Sequence, residues 1–240
     1  MLFKISTALI IEKTIYNQDK FKAIKMNLDI GIATEEPNIE QAFEETFETY
    51  GYNTNTLFIQ ITYAEYLTFL KNKPEEAIEV LEKAMQFANS KYVQARIKLK
   101  LGDVLVFTKN FNKALIYFSQ VQTKFKNHIL GQEARFKVAR TSYFKNDFDW
   151  AKAQLKVLKG SATQLIANDA TELFLTITDN QPKDSIATGL KEYAKAELLA
   201  YQQKNKEAIE VLSTLSENFQ NQPIEDEALY KKAVLLVKEN

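Results

Sequence analysis

A small residue that returns at a fixed interval constrains the fold of this chain more than any other feature. The phrase EAIEVL occurs at residues 76–81 and again at 207–212. Its alanine belongs to a series, and the first three members are 37 residues apart: Ala77, Ala114, Ala151 and Ala208. Each alanine begins a short apolar-periodic helix after a polar break. A fixed period of this length indicates stacked copies of one supersecondary unit.

A second small residue precedes each alanine by twelve or thirteen positions. It lies in the middle of a longer apolar-periodic segment, and the series is Ala64, Gly102, Ala139 and Ala196. Small residues at both places let two helix backbones approach closely. The pattern therefore predicts antiparallel helix pairs. An offset of 94 residues gives the same register, because it aligns residues 125–139 with 219–233 and pairs Phe136 with Tyr230.

The composition agrees with an all-α fold. Only 6 Gly and 4 Pro are available for tight turns, whereas good helix formers fill most of the chain. There is no Cys, which excludes disulfides, thiolate metal sites and a cysteine nucleophile. Lys plus Arg and Asp plus Glu both total 31, so no net field attracts nucleic acid or an anionic membrane.

With these residues in place, the chain resembles the tetratricopeptide-repeat (TPR) family. Residues 95–124 fit its core positions well, through Gly102, Leu105, Phe111, Ala114, Phe118 and Val121. Residues 57–88, with one extra loop residue, 132–160 and 189–218 follow the same scheme. The family's aromatic at position 4 is replaced by Gln60, Lys98, Arg135 and Glu192, and its Pro at position 32 is absent. The resemblance implies a right-handed α-solenoid, a TPR-like superhelix of about ten or more helices.

The register divides the chain into five parts. They are N-terminal helices with degenerate repeats in 1–55, three repeats in 56–160, an extra helix and loop in 161–184, a fourth repeat in 185–220, and the first helix of an incomplete fifth repeat or a capping helix in 221–240. The first part is expected to hold three helices, at 2–17, 20–33 and 38–50. The extra helix, predicted at 162–178 before the loop 179–185, either sits in the groove or alters the pitch, or packs as a spacer like any repeat helix.

The end of the sequence favours an unfinished array. Ala233 occupies position 8 of a fifth repeat, and the residues after it, AVLLVKEN, are apolar on most sides. A solenoid cap normally turns a polar face outward. We therefore expect either truncation of a longer array or burial of this helix against a partner. A second copy of the chain, bound through the same helix, is one such partner.

The linkers also resemble those of TPR proteins of the bacterial cell envelope, including outer-membrane assembly lipoproteins. This resemblance implies a place in an envelope assembly. The first residues make a poor signal peptide, and no apolar stretch approaches the roughly 20 residues that span a bilayer. The expectation is thus cytoplasmic for the chain as written, and periplasmic if it is a piece of a longer envelope protein.

No catalytic constellation can be assembled from the sequence, and no enzyme activity, cofactor or metal is expected. His128 is the only histidine, and its position in a linker favours an exposed or helix-capping imidazole over a ligand or general base. The glycines never cluster into a phosphate-binding loop.

The resemblance places partner binding on the concave surface, at positions 2, 5, 6, 9, 12 and 13 of each first helix. Basic and aromatic residues alternate there, which suits an extended peptide or a partner helix. The expected groove residues are Arg96, Lys100, Asp103, Phe107, Lys137, Arg140, Tyr143, Tyr193, Glu197 and Tyr201. Ile61 and Glu65 stand where a carboxylate clamp would need Lys and Asn, so binding of a peptide's terminal carboxylate in that way is not expected.

The predicted function is a non-enzymatic protein-binding scaffold. The alternatives are a helical-repeat RNA-binding protein, which the balanced charge disfavours, and a non-catalytic piece of a larger multidomain protein.

Overall fold

The computed structural model describes residues 2–158, 160, 163–181 and 187–239, with side chains from residue 18 onward. These residues form twelve α-helices and no β-strand. The helices are α1 (Leu2–Ala33), α2 (Ile39–Tyr50), α3 (Leu57–Phe69), α4 (Pro74–Phe87), α5 (Lys91–Phe107), α6 (Phe111–Lys124), α7 (Ile129–Phe144), α8 (Phe148–Leu158), α9 (Gln164–Asn180), α10 (Thr188–Tyr201), α11 (Asn205–Asn218) and α12 (Pro223–Glu239). The prediction of an all-α helical-repeat fold is confirmed.

The chain forms two compact units, Met1–Lys100 and Leu101–Asn240, and the boundary lies within α5. In the first unit, α3 packs against α4. Ala64 on α3 and Ala77 on α4 are both fully buried. Aromatic rings extend this core toward α2, where the ring of Phe43 lies 4.9 Å from the ring of Tyr63. The predicted small residues of this repeat are therefore core residues.

The N-terminal region differs from the expectation of three helices. Residues 2–33 form one continuous helix, and α2 follows after a short turn. The segment NQDK at 17–20 contains neither Gly nor Pro, so nothing in it interrupts the helical hydrogen bonds. Ion pairs one turn apart also support the helix, between Asp19 and Lys22 and between Lys25 and Asp29.

In the second unit, most helices pack against the next helix along the chain. One apolar core runs through α7 to α12 and includes Ala139, Ala151, Ala196 and Ala208. Helix α9, the predicted extra helix, packs on α8 and also contacts α7, α10 and α12. The predicted loop 179–185 lies mostly outside the described residues.

The glycine at 102 marks a close approach between two helices. A Cβ atom added there would lie 2.2 Å from Cε1 of Phe118, whose side chain is fully buried on α6. A methyl group has no room at that distance, so the ring occupies the space above the glycine. A second glycine allows a close approach between α7 and the preceding turn, because a Cβ on Gly131 would lie 2.0 Å from the carbonyl oxygen of Phe125.

The turns within the helix pairs are copies of one another. In each pair, the residue five positions before the second-helix alanine is left-handed, with φ of 53° at Asn72, 61° at Lys109, 64° at Asn146 and 60° at Gln203. The next amide then donates to a carbonyl of the first helix, as from Asn110 to Leu105 at 2.7 Å. This is the Schellman cap of a helix C-terminus. In the first pair the bond runs from Lys73 to Leu67, one residue longer, which matches the extra loop residue expected in 57–88.

The left-handed turn gives the first prediction. Lysine in this conformation is strained and glycine is not, so Lys109→Gly should raise the free energy of unfolding by about 0.5–1 kcal/mol. Ser119→Gly, in the exposed interior of α6, should lower it by about 0.5 kcal/mol. Urea denaturation followed by circular dichroism measures both changes. A loss of stability in both variants would contradict the assigned turn.

The close approach at Gly102 gives the second. Gly102→Ala should lower the free energy of unfolding by about 1–3 kcal/mol, because the added methyl group displaces the ring of Phe118. Gly160 is the matched control, since a Cβ added there meets nothing within 4 Å. We expect Gly160→Ala to change stability by less than about 0.5 kcal/mol. Equal thermal melting of the two variants would refute the packing of α5 on α6.

Candidate functional site

The ten predicted groove residues are divided between the two compact units. Arg96 and Lys100 belong to the first unit, where Arg96 is exposed and Lys100 binds the carboxylate of Glu65. Five of the others line one groove of the second unit: Arg140, Tyr143, Tyr193, Glu197 and Tyr201. Asp103, Phe107 and Lys137 lie outside the lining of that groove. Partner binding by any of the ten stays a prediction.

Lys137 and Asp103 bind each other in a largely buried ion pair. The Lys137 ammonium donates to both carboxylate oxygens of Asp103, at 2.7 and 2.8 Å. The same pairing recurs between two other pairs of first helices, as Glu65 with Lys100 and Glu197 with Lys231. In each case the acid directly follows the small residue of one repeat, and the lysine precedes the next small residue by two positions. This regularity is legible in the sequence, but the groove prediction did not use it.

Arg140 interrupts this series of ion pairs. It follows Ala139, where the other repeats have an acid, and the position two residues before Ala196 is Ala194 rather than lysine. The Arg140 guanidinium instead lies over the ring of Tyr201, 5.1 Å from its centroid, and 5.7 Å from that of Phe136. The Tyr201 hydroxyl donates to the carbonyl oxygen of Asp103 at 3.2 Å, which holds the ring in place.

The α7–α12 groove is an open cavity of about 480 Å³ in the second unit. Side chains from α7, α9, α10 and α12 form its walls, and Asn205 contributes at the start of α11. The lining is Phe136, Arg140, Tyr143, Phe144, Asp169, Glu172, Leu173, Thr176, Tyr193, Glu197, Ala200, Tyr201, Asn205, Glu227, Tyr230, Lys231, Val234, Leu235 and Lys238. Its size is that of a typical ligand pocket, about 300–1,000 Å³.

The ten predicted groove residues include none from α12 or α9, which form two further walls of the groove. Helix α12 contributes Glu227, Tyr230, Lys231 and Val234. With Ala233 at position 8 of the fifth repeat, these residues fall at the groove positions 2, 5, 6 and 9, so the repeat register could have predicted this wall. Helix α9 contributes Asp169, Glu172, Leu173 and Thr176, and because α9 has no paired second helix, no register defined which of its faces would line a groove.

Tyr143 lies at the floor of the groove with its side chain fully buried. Among the described residues, its hydroxyl has no hydrogen-bond partner. Burial, and next the charge of Glu197, raise the pKa of Tyr143 well above its usual value, so the hydroxyl stays protonated. A buried hydroxyl without a partner costs about 1–3 kcal/mol of folding free energy. The pKa of Tyr193 is raised for the same reasons.

Carboxylates gather around these two tyrosines. Glu197 is paired with Lys231 at 3.1 Å. In the described part of the chain, Glu172 and Glu227 form no ion pair. Burial, followed by the negative charges of Glu197 and Glu172, raises the pKa of Glu227. The groove thus combines aromatic rings with carboxylate charge that is only partly balanced within the protein.

Comparison with known proteins identifies the fold. No family model matches the sequence, and no curated protein matches it. The chain is similar in structure to PilW, described as a widely conserved type IV pilus biogenesis factor, with a TM-score of 0.50 and 14% sequence identity over 95% of this chain and 90% of PilW. The fold is TPR-like. At this identity, the likeness to PilW concerns the fold alone.

The remaining candidates for chemistry have structural roles. His128 is the N-cap of α7, where its Nδ1 accepts a hydrogen bond from the amide of Leu130 at 3.1 Å. The described acidic and histidine side chains form no group of three or more that could hold a metal ion. No helix among the described residues is both long and apolar enough to cross a bilayer.

Glu227 gives a prediction for stability. Because its folded pKa is raised, its charge destabilises the fold above that pKa, and the penalty is absent below the ordinary glutamate pKa of 4.5. Glu227→Gln should therefore melt at a higher temperature than the parent at pH 7, with the gap closing as the pH falls below 4.5. Glu210→Gln, exposed on α11, is the control and should show no such pH-dependent gain. A lower melting temperature of Glu227→Gln at pH 7 would contradict the assignment.

Proposed function

We propose that this protein is a non-catalytic interaction scaffold that binds a segment of a partner protein in the α7–α12 groove. One observation carries the proposal: the groove brings together aromatic and charged side chains from four helices, and the buried Tyr143 hydroxyl in its lining has no hydrogen-bond partner among the described residues. Fixed anchors reduce the ordering cost of binding.

A protein segment is the class of ligand that this lining fits best. The lining is rich in tyrosine and contains an arginine, two residue types that carry much of the binding energy at protein interfaces, and its two phenylalanines are of a type enriched there. They come from first helices of different repeats, so they follow one another along the groove, as an extended peptide or a partner helix requires. Arg140 already contacts the rings of Phe136 and Tyr201, which reduces the ordering cost that a partner would meet.

The other function classes have less support. The groove lining contains no histidine or cysteine, and the protein's single histidine caps α7. Four carboxylates in the lining would repel the phosphates of RNA. The scaffold function agrees with the fold likeness to PilW, and the envelope-like linkers support a place in a bacterial envelope assembly such as pilus biogenesis.

Filling the groove tests the proposal. Peptides are selected from a random phage-displayed library on the immobilised full chain, and their affinities are measured by fluorescence polarisation. Ala200→Trp and Val234→Trp place a large side chain in the lining. Each should weaken binding of the selected peptides at least tenfold, because the segment and the indole compete for one space.

Ala153→Trp is the matched control, since Ala153 is exposed on α8 and lies outside the groove. It should bind the peptides like the parent, and thermal melts check that all three variants fold. Unchanged affinity in both groove variants would refute the assignment of binding to this groove.

A further inference from the structure

The groove contains a buried hydroxyl, that of Tyr143, which could both donate and accept a hydrogen bond. The Tyr143 side chain is 0% exposed, and its hydroxyl has no hydrogen-bond partner among the described residues. After burial, Glu197 does most to raise the pKa of this hydroxyl, followed by Tyr193 and Glu227, and all three line the groove. A buried hydroxyl normally has a partner. The orphaned hydroxyl therefore marks the part of the groove where a polar ligand atom fits.

The charges around this hydroxyl favour a cation. The lining carries the four carboxylates Asp169, Glu172, Glu197 and Glu227. Among the described residues, none of its three basic groups forms an ion pair with Asp169, Glu172 or Glu227. Lys231 is bound to Glu197, and Arg140 lies over two aromatic rings. Lys238 is exposed near the end of α12. Within the described chain no ion pair neutralises Asp169, Glu172 or Glu227. Burial, followed by the negative charges of Glu197 and Glu172, raises the pKa of Glu227.

The apolar part of the lining indicates what kind of cation fits. Tyr193 and Tyr230 line the groove beside Glu227. A lysine or arginine side chain has an apolar stem that packs along such rings and a head that donates hydrogen bonds to carboxylates. Aromatic faces also attract a cation. Carboxylates, rings and a hydroxyl together complement both halves of a basic side chain.

This inference rests on the proposed function: we propose that the α7–α12 groove recognises its protein partner through a basic side chain, lysine or arginine, which lies between Tyr193 and Tyr230. Glu172 and Glu227 hold its charged head, and the Tyr143 hydroxyl accepts one of its hydrogen bonds. The partner segment is thus basic at its anchoring position, and a segment without a lysine or arginine there binds poorly.

The selected peptides test this assignment. We expect them to share one basic position, and its replacement by norleucine, which keeps the stem and removes the charge, should weaken binding at least tenfold. The double variant Glu172→Gln, Glu227→Gln should lose affinity by a similar factor. For the norleucine peptide the same double variant should have no further effect, because the interaction is already gone. Glu79→Gln with Glu210→Gln, two exposed glutamates on α4 and α11, is the control.

Tyr143→Phe separates recognition from packing. Removing an unpaired buried hydroxyl should raise the melting temperature and lower the affinity for the basic peptide several-fold, whereas a structural role would lower both. Peptides that Ala200→Trp excludes but that bind equally well with norleucine would overturn the basic anchor and leave the groove function intact. Peptides indifferent to Ala200→Trp would overturn the groove function itself.

Discussion

The close approach of two helices at a residue without a side chain is the contact on which this structure depends. At Gly102 the ring of Phe118 fills the space that a Cβ atom would need, and alanines hold the corresponding places in the other pairs. Such contacts fix the distance between helices and also their rotation, since a different face would present a larger side chain. Once the rotation is fixed, every fourth or third residue of each first helix points to the same side. The groove is a consequence of that register.

The repeats are tied together by a second interaction, and the candidate site lies where it fails. An acid after one small residue binds a lysine ahead of the next, in Glu65–Lys100, Asp103–Lys137 and Glu197–Lys231. Arg140 occupies the position after Ala139 where the other repeats have an acid, so this type of ion pair is not formed there. The extra helix α9 enters at the same point and brings Asp169 and Glu172 to the groove. Carboxylates without an ion pair in the described chain and the buried Tyr143 hydroxyl thus lie at the irregular junction.

The sequence predicted what depends on local spacing. The small residues predicted the helix pairs, and the family register assigned to the concave surface five residues that line the α7–α12 groove: Arg140, Tyr143, Tyr193, Glu197 and Tyr201. It did not predict that α1 is continuous, because a polar segment without Gly or Pro is compatible with either a helix or a break. It also did not predict that Lys137 is engaged by Asp103, and it left open whether α9 would lie in the groove or pack as a spacer. These depend on the neighbours of a side chain in space, which a repeat period does not specify across an insertion.

Nuclear Overhauser contacts of Gly102 test the packing most directly. In protein with protonated glycine and phenylalanine in a deuterated background, the Gly102 Hα protons should show strong contacts to the ring protons of Phe118, together with upfield ring-current shifts. Phe118→Leu should abolish both signals. If the Gly102 Hα protons show no contact to that ring and resonate at ordinary helical positions, the small residues do not join the helices, and the groove built on their register has no basis.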